Sequence, residues 1–388
     1  MKTQPSALIP AFDNQDQIFA AAFAILSNAI QEQAFPSASV AVTHHNRLVA
    51  RKAFGRIITD EGAPFLASFA RSGDFDFQVT TLFDLASVTK VIATTTTAAI
   101  LYERGVLELD ASILGVIPEF LLDSCGELDP RRREVTFRML LAHSSGLPAY
   151  EKLFLSAKSR DDLLRAAFTT SLSADPGTRA EYSDVGFIIL GAAIERLTGE
   201  SLDTFCQREI FGPLGMATTT FNPPAEIRGT IPPTADDLTF RKRIIQGEVQ
   251  DENAYVLGGV AGHAGLFATA EDVARFAHAM LNGGSPILRP ETVALFTRRE
   301  AAPAGTSRAL GWDTPSTPSQ SGKYLSPQSF GHLGYTGTSL WIDPARQLSI
   351  TLLTNHTWPD CSNHAIKQIR PRFHDAVVEA LDLAFLRG

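Results

Sequence analysis

The chain has 388 residues, of which 44% are hydrophobic and 20% are charged, and its formal net charge is −8 at pH 7. These values are typical of a globular protein with two domains or one large composite fold. The acidic balance argues against nucleic acid or an anionic membrane as the main partner.

Neither membrane insertion nor a disulfide framework is indicated. The longest apolar run covers only residues 18–26, and the first residues lack the apolar core of a secretory signal. The three cysteines, Cys125, Cys206 and Cys361, are far apart and lack the spacing of metal ligands. We therefore expect a cytoplasmic protein with reduced thiols and with no membrane partner, metal or cofactor, and we leave its oligomeric state open.

The predicted elements begin with a helix over 16–33, which has its apolar residues on one face. Two strands over 37–43 and 48–54 follow, joined as a hairpin by residues 44–47. A polar stretch with several glycines then runs to about residue 80. Beyond it the pattern is mainly helical, with helices predicted at 87–104, 135–142, 161–168, 185–198 and 201–211.

The pattern changes again near residue 255. Residues 258–265 are rich in glycine, which predicts a tight turn beside a cleft. The remaining predictions are a helix at 271–281, strands at 329–335, 338–343 and 347–354, and a helix over about 365–386. Strands near both ends predict an α/β (α+β) fold, an antiparallel sheet built from both termini and flanked by helices. The predicted domains are 1–80 with 255–388, and an inserted, mainly helical 81–254, with the active site at their interface.

Ser87-Val88-Thr89-Lys90 is a candidate catalytic motif. A serine hydroxyl needs a nearby base to act as a nucleophile, and residues three apart share one face of a helix. If a helix begins at Ser87, the serine and Lys90 meet. The bare motif is also compatible with a surface lysine beside a helix-capping serine.

Two later segments offer partners for this motif. Tyr182 precedes a predicted helix that Asp184 could cap, and a nearby lysine ammonium would lower the pKa of its phenol. His332 lies in a glycine-bearing strand, at the rim of a site, where its charge would change near neutral pH. Taken singly, Tyr182 is also compatible with packing at a domain boundary, and His332 with an ordinary strand-end histidine.

Together the motifs resemble the serine β-lactamase and penicillin-binding-protein superfamily. Within it the chain is most similar to class C β-lactamases, family VIII carboxylesterases and D-aminopeptidase-type hydrolases. The resemblance spans roughly residues 20 to 380. The segments that carry it, in family order, are Ser87-Val88-Thr89-Lys90, Leu140-Leu141-Ala142-His143-Ser144-Ser145-Gly146-Leu147-Pro148, Glu181-Tyr182-Ser183-Asp184 and His332-Leu333-Gly334-Tyr335-Thr336-Gly337.

The resemblance implies a role for each matching residue. Ser87 would be the acylated nucleophile, with Lys90 and Tyr182 sharing the role of general base. The backbone N–H groups of Ser87 and Tyr335 would form the oxyanion hole. The resemblance further predicts that three residues contact substrate, namely Asp184, His332 and Gly334. It also predicts that His143 is structural and bonded to backbone.

Two departures from the family pattern bear on the substrate. Asp184 replaces an asparagine whose amide would donate to substrate; an ionised aspartate cannot donate but could pair with Lys90. His332 and Leu333 replace the lysine and threonine that hold a substrate carboxylate. The loss of this lysine and threonine weakens the case for efficient lactam hydrolysis and leaves acyl transfer on esters or amides without that carboxylate. Among small-molecule ester, amide or lactam substrates, we therefore expect an esterase-like serine hydrolase that acts through an acyl-enzyme.

Other functions stay open to different degrees. A D-amino-acid peptidase or carboxypeptidase, a β-lactamase, and a catalytically silent binding module are the alternatives. No Gly-x-Ser-x-Gly elbow of an α/β-hydrolase, nucleotide-binding glycine motif or His-Glu-x-x-His metal motif occurs in the chain.

Overall fold

The computed structural model describes residues 7–57 and 75–385 of the chain. The strands of these residues are β1 (Ile9–Pro10), β2 (Ala38–His44), β3 (Arg47–Phe54), β4 (Arg56–Ile57), β5 (Phe75–Asp76), β6 (Phe83–Asp84), β7 (Thr220–Phe221), β8 (Pro233–Asp237), β9 (Arg243–Gln246), β10 (Leu266–Ala268), β11 (Phe330–Leu333), β12 (Ser339–Asp343) and β13 (Leu348–Thr354). Their α-helices are α1 (Gln15–Ile18), α2 (Ala20–Gln31), α3 (Thr96–Glu103), α4 (Phe137–Leu141), α5 (Arg160–Thr169), α6 (Asp184–Thr198), α7 (Leu202–Cys206), α8 (Gly212–Leu214), α9 (Ala225–Arg228), α10 (Glu252–Val256), α11 (Ala270–Leu281), α12 (Pro290–Thr297) and α13 (Ile366–Phe385).

The largest sheet is built from both ends of the chain, which confirms the predicted fold class. Its strand order is β1-β3-β2-β13-β12-β11, and all its pairs are antiparallel except β1 with β3. The β2–β3 hairpin turns through His45 and Asn46, whose φ angles are 46° and 63°. Positive φ at both central residues matches the twist of the two strands, so the predicted hairpin forms.

Helices cover both faces of this sheet. Side chains alternate along β2, so that Val40 and Val42 pack in the cluster formed with α2 and α13, and Ala41 packs in the cluster on the other face. Helix α11 lies on that second face against β2, β12 and β13. The sheet is therefore buried on both sides and gives β11 and β12 a fixed position.

The predicted helix over 87–104 is not a single α-helix. The chain forms a 3₁₀ turn at Ala86–Val88, a π-helix at Lys90–Thr95, and then α3. Threonines are poor helix formers, and their hydroxyls compete for backbone carbonyls. The Thr96 hydroxyl donates to the Val91 carbonyl at 2.8 Å, which takes an acceptor away from the α-helical ladder.

Other elements differ from prediction more modestly. The helix predicted at 201–211 divides into α7 and a π-helix at Gln207–Phe211, and α12 was not predicted. The polar stretch before residue 80 falls largely outside the described residues, and the two-domain division stays a prediction. In the part of the chain that the structure describes, no helix is long and apolar enough to cross a membrane.

Candidate active site

Ser87 lies in the 3₁₀ turn that follows β6. The carboxylate of Asp84 accepts the Ala86 N–H at 2.8 Å, and Ala86 has a φ of 46°, which is uncommon for a residue with a side chain. Asp84 is itself buried, and burial raises the pKa of its carboxyl to about 6. Such backbone strain is retained where the surrounding structure enforces it, and here it lies at the residue directly before Ser87.

Lys90 lies beneath Ser87 and is completely buried. Its Nζ donates to Ser87 Oγ at 3.0 Å, to Asp184 Oδ1 at 2.6 Å and to the His263 carbonyl at 2.9 Å, so three acceptors match its three protons. The meeting of Ser87 and Lys90 predicted from their spacing is present. Burial is the largest single influence and acts to lower the pKa of Lys90, but the charges and hydrogen bonds of Asp184 and Tyr182 together outweigh it and raise that pKa above its usual value.

Tyr182 is held in the loop before α6 by a cap and by a histidine. Ser183, and not Asp184 as predicted, caps α6, because its Oγ accepts the Gly186 N–H at 3.0 Å. His143 Nδ1 accepts the Ser183 N–H at 3.1 Å, and its ring centroid lies 4.7 Å from that of Tyr182. His143 is thus bonded to backbone as predicted, and burial holds its pKa well below the usual value.

The phenol of Tyr182 is neutral in the resting site. Burial, followed by the Asp184 charge, raises the pKa of Tyr182 to about 12. Lys90 and Ser87 act in the opposite direction as hydrogen-bond partners, and Lys90 Nζ lies 4.9 Å from the centroid of the Tyr182 ring. The lowering expected from Lys90 is therefore present, but burial and the Asp184 charge outweigh it, so the net shift of the Tyr182 pKa is upward.

Asp184 faces Lys90 as well as the cavity. Its side chain is 18% exposed, and one carboxylate oxygen is held by the Lys90 ammonium. This pairing is the alternative that an ionised aspartate allowed at that position. The carboxylate of Asp184 is therefore paired with Lys90 within the protein. The predicted contact of Asp184 with substrate stays a prediction.

The β11–β12 turn is fixed against the segment that carries Ser87. The Thr336 hydroxyl donates to the Asp84 carbonyl at 2.8 Å, and the Thr338 hydroxyl donates to the Leu85 carbonyl at 2.9 Å. A Cβ at Gly334 would lie only 2.6 Å from the Leu85 carbonyl oxygen, so this close approach requires glycine.

Tyr335 occupies the exposed tip of the same turn. The N–H groups of Gly334 and Gly337 make the backbone hydrogen bonds of the turn, to the carbonyls of Thr338 and Gly334, whereas the Tyr335 N–H makes none within it. The Tyr335 side chain is 57% exposed, so the backbone of this residue, and not its ring, is held close to the serine segment. This arrangement suits the predicted oxyanion hole.

His332 is buried and neutral, whereas the sequence predicted a rim histidine that titrates near pH 7. It is only 3% exposed, and its Nδ1 contacts the Leu333 carbonyl at 2.7 Å. Burial, with the Lys90 and Arg308 charges, lowers its pKa to about 3. Its Nε2 has no hydrogen-bond partner among the described residues. With its proton on Nδ1, His332 offers that second nitrogen as an acceptor.

These side chains surround one cavity of about 770 Å³. Of the residues predicted to act on substrate, all but the buried Lys90 line it. Segments 150–154, 239–252, 308–313 and 356–370 also contribute residues to its lining. The lining includes Ser87, Tyr182, Asp184, His332, Gly334, Tyr335, Tyr150, Asp251, Glu252, His263, Arg308, Asp313, Lys367 and Arg370.

The glycine-rich turn at 258–265 lies beside the cavity, as predicted, and places His263 behind Lys90. Gly262 and Gly191 approach so closely that a Cβ on Gly262 would lie 2.9 Å from Gly191 Cα. His263 Nε2 lies 2.8 Å from Asp251 Oδ1, which also caps α10. No local sequence motif marks the Asp251–His263 pair, since it forms only when the turn folds against α6.

A sequence model of one family, described as Beta-lactamase, matches residues 19–369. The chain belongs to the beta-lactamase family. This membership confirms the resemblance, and the protein is therefore a serine hydrolase of the β-lactamase and penicillin-binding-protein superfamily.

Similar proteins within the beta-lactamase family carry several names. An "N-acetylmuramyl-L-alanine amidase" of Bacillus subtilis strain 168 is 34% identical over 83% of this chain and 77% of its own length. A "Putative D-alanyl-D-alanine carboxypeptidase" of Escherichia coli strain K12 is 33% identical over 83% of this chain and 78% of its own. The solved structure of "EstCE1, a hydrolase with promiscuous acyltransferase activity" has a TM-score of 0.73 at 21% identity, and covers 94% of this chain and 99% of its own. The likeness to EstCE1 shows a shared fold.

Proposed function

We propose that this beta-lactamase family protein hydrolyses small-molecule esters through an acyl-enzyme on Ser87. The observation that carries the proposal is the convergence of the Ser87 hydroxyl, the Lys90 ammonium and the Tyr182 phenol at one cavity. Covalent catalysis requires a nucleophile, a neighbouring base that takes up its proton, and a third group that orients this base.

The acylation step uses the Lys90–Tyr182 pair as its base. The resting pair holds a protonated amine and a protonated phenol, so it accepts the Ser87 proton only after losing one proton of its own. Ser87 Oγ then bonds to the substrate carbonyl carbon. The carbonyl oxygen becomes an oxyanion that accepts hydrogen bonds from the N–H groups of Ser87 and Tyr335. Collapse breaks the bond to the alcohol, which leaves with the proton taken from Ser87.

Deacylation repeats these steps with water as the nucleophile. The same pair takes a proton from water, and the hydroxide attacks the acyl carbonyl. Collapse then returns a proton to Ser87 Oγ and releases the acid. His332 lines the same cavity, and its buried Nε2 has no hydrogen-bond partner among the described residues, so this nitrogen is an acceptor for any substrate group or water that reaches it.

Esters are favoured over lactams because His332 replaces the lysine that, in the family pattern, binds the substrate carboxylate. His332 is neutral at physiological pH and gives no positive charge at that position. A second candidate is a peptidase or carboxypeptidase directed at D-amino acids. It is favoured by the name of the relative called "Putative D-alanyl-D-alanine carboxypeptidase", which is 33% identical over 83% of the chain. The relative called "N-acetylmuramyl-L-alanine amidase", 34% identical over 83% of the chain, favours amide hydrolysis only in general.

The test is a substrate panel on wild type and on Ser87→Ala. The panel contains a short-chain p-nitrophenyl ester, a peptide ending in D-Ala-D-Ala, and the cephalosporin nitrocefin. We expect a burst of p-nitrophenol and a steady-state rate that is highest on the ester. Ser87→Ala should lose at least about a thousandfold in kcat/KM. Ser171→Ala, which changes an exposed serine that does not line the cavity, is the matched control.

The outcomes separate the candidates. A higher kcat/KM on the peptide would replace the esterase assignment with the peptidase, and one on nitrocefin would replace it with a β-lactamase. Normal ester turnover by folded Ser87→Ala would overturn the acyl-enzyme, and no turnover with no serine labelling would indicate a silent binding module.

A further inference from the structure

Asp84 is a buried carboxylate that takes no part in the proposed acylation and deacylation steps. It is only 2% exposed, and among the described residues no lysine or arginine forms an ion pair with it. Its two oxygens instead accept backbone N–H groups, from Ala86 to Oδ1 at 2.8 Å and from Gln250 to Oδ2 at 2.7 Å. Burying a charge without a counter-ion is costly, so these two hydrogen bonds must offset that cost.

The first hydrogen bond fixes the turn that carries the nucleophile. Ala86 has a φ of 46°, a strained conformation that needs a partner to hold it, and the next N–H along the chain belongs to Ser87. The backbone carbonyl of Asp84 also accepts the Thr336 hydroxyl at 2.8 Å, directly beside Tyr335. Both predicted oxyanion donors are therefore one residue away from a group that Asp84 binds.

The second hydrogen bond holds the loop that lies behind Lys90. Gln250 is followed by Asp251, whose Oδ1 lies 2.8 Å from His263 Nε2. The His263 carbonyl accepts from Lys90 at 2.9 Å. The bond to Gln250 thus connects the serine turn with the segment that supplies one of the three acceptors of the lysine.

We propose that ionised Asp84 is a positioning residue, whose carboxylate joins the turn of Ser87 to the loop that supports Lys90. The inference rests on the proposed function and adds to it a residue that does not touch the substrate. A carboxylate accepts at both oxygens, whereas a neutral carboxyl carries an O–H donor and an asparagine an NH₂ donor. Neither neutral form can hold both N–H groups as strongly, so loss of the charge should loosen the site.

The surroundings of Asp84 allow this charge to be lost in mild acid. Burial, the largest influence, raises the pKa of its carboxyl to about 6; Asp251 acts in the same direction, and the two N–H groups and Arg241 act against it. From β11 and its turn come His332 and Tyr335, with pKa values of about 3 and about 12, so both are neutral between pH 4.5 and pH 8. β10 brings only uncharged side chains, those of residues 266–268.

The test is the pH dependence of kcat/KM on p-nitrophenyl acetate between pH 4.5 and pH 8, for wild type and Asp84→Asn. The matched control is Asp343→Asn. Asp343 is also a fully buried carboxylate that accepts backbone N–H groups, from Ser326 at 2.7 Å and from Ala345 at 3.0 Å, but it does not line the cavity. Intrinsic fluorescence at each pH and melting temperatures report whether each protein is folded.

Two protons must be lost before the wild type acts in acid, one from Asp84 and one from the Lys90–Tyr182 pair. The logarithm of its kcat/KM should therefore rise with a slope of about 2 below pH 6 and of about 1 above it. Asp84→Asn should be about tenfold to a hundredfold slower at pH 7.5, with a single slope of about 1 over the whole range. Asp343→Asn should melt at a lower temperature and keep both wild-type slopes.

A folded Asp84→Asn with the wild-type rate, or with the change of slope still present near pH 6, would overturn the proposal. If Asp84→Asn does not fold, the wild-type profile decides: a steeper fall below pH 6 supports the proposal, and a single slope down to pH 4.5 in folded protein overturns it. These outcomes leave ester turnover through Ser87 in place, whereas normal turnover by folded Ser87→Ala would overturn the proposed function. The two proposals therefore fail separately.

Discussion

Replacing Asp184 with asparagine tests how the site sets the charge of its base. Burial is the largest influence on Lys90 and on Tyr182, and beyond it the Asp184 charge raises the pKa of both groups. The charge favours the ammonium of Lys90 and disfavours a phenolate on Tyr182. Whichever group gives up the proton, Asp184 therefore moves that loss to higher pH.

The structure sets the size of the effect. The carboxylate contacts Lys90 Nζ at 2.6 Å, with the lysine fully buried and the Asp184 side chain 18% exposed. An opposite charge at such a distance changes a pKa by about 1 to 3 units, which corresponds to about 1.4 to 4 kcal/mol. An asparagine oxygen still accepts from Lys90, so Asp184→Asn removes the charge while keeping an acceptor for the lysine.

The assay is the pH dependence of kcat/KM on a p-nitrophenyl ester between pH 5 and pH 10. Activity of the wild type should rise with pH, because the Lys90–Tyr182 pair must lose a proton before it acts. In Asp184→Asn this rise should move to lower pH by about 1 to 3 units. Glu252→Gln changes a cavity carboxylate that does not contact Lys90, so it should not change the pH at which kcat/KM rises.

An unchanged rise in Asp184→Asn, with its melting temperature preserved, would refute this reasoning. It would mean that the titrating group lies outside the Lys90–Tyr182 pair. A shift to higher pH would also contradict the account, because Asp184 would then be favouring proton loss.

Three further substitutions test other parts of the site. Tyr182→Phe should lower kcat/KM on the ester by about 10² to 10⁴ and leave the melting temperature nearly unchanged, and full activity would remove the phenol from the mechanism. Gly334→Ala should destabilise the protein by about 1 to 3 kcal/mol in urea unfolding and slow turnover, because its Cβ meets the Leu85 carbonyl; unaltered unfolding and turnover would contradict that close approach. The unfolded state binds a proton on His332 below about pH 6.5, whereas the folded state, with a pKa of about 3, does not, so stability is lost as pH falls from 6.5 towards 3. His332→Gln should reduce that loss in urea unfolding by about 0.7 kcal/mol between pH 7 and pH 6 and by about 1.2 kcal/mol between pH 6 and pH 5, and an equal loss in both proteins would show that His332 titrates normally.

The sequence predicts which site residues lie close together better than it predicts their protonation states. The three-residue spacing of Ser87 and Lys90 was enough to place them together, although the intervening backbone is a 3₁₀ turn and a π-helix instead of an α-helix. Spacing carries this information because residues three apart lie on the same side of a 3₁₀ turn, as they do on an α-helix.

Protonation states depend on surroundings that come from remote segments. The pKa of Tyr182 was expected to fall because of Lys90, but full burial and Asp184 together raise it. His332 was expected at a rim, but although β11 is the last strand of the sheet, the surrounding side chains leave His332 only 3% exposed. For both residues the sequence motif identified the position along the chain. It did not show how deeply tertiary packing would bury the side chain.

Arg308 and His263 carry no local signal at all. Arg308 reaches Tyr182 from 126 residues further along the chain, with its guanidinium carbon 5.4 Å from the centroid of the ring. The His263 carbonyl accepts from Lys90 because Gly262 allows its turn to lie against α6. Such contacts between loops are set by tertiary packing, which periodicity does not encode.

The central claim is that Ser87 is the nucleophile, and covalent labelling tests it most directly. The protein is incubated with a p-nitrophenyl phosphonate ester and then examined by intact-mass measurement and peptide mapping. The account predicts one adduct per chain, located on Ser87 and missing from folded Ser87→Ala. An unlabelled wild type that nevertheless turns over esters, or labelling at another serine with Ser87 unmodified, would contradict it.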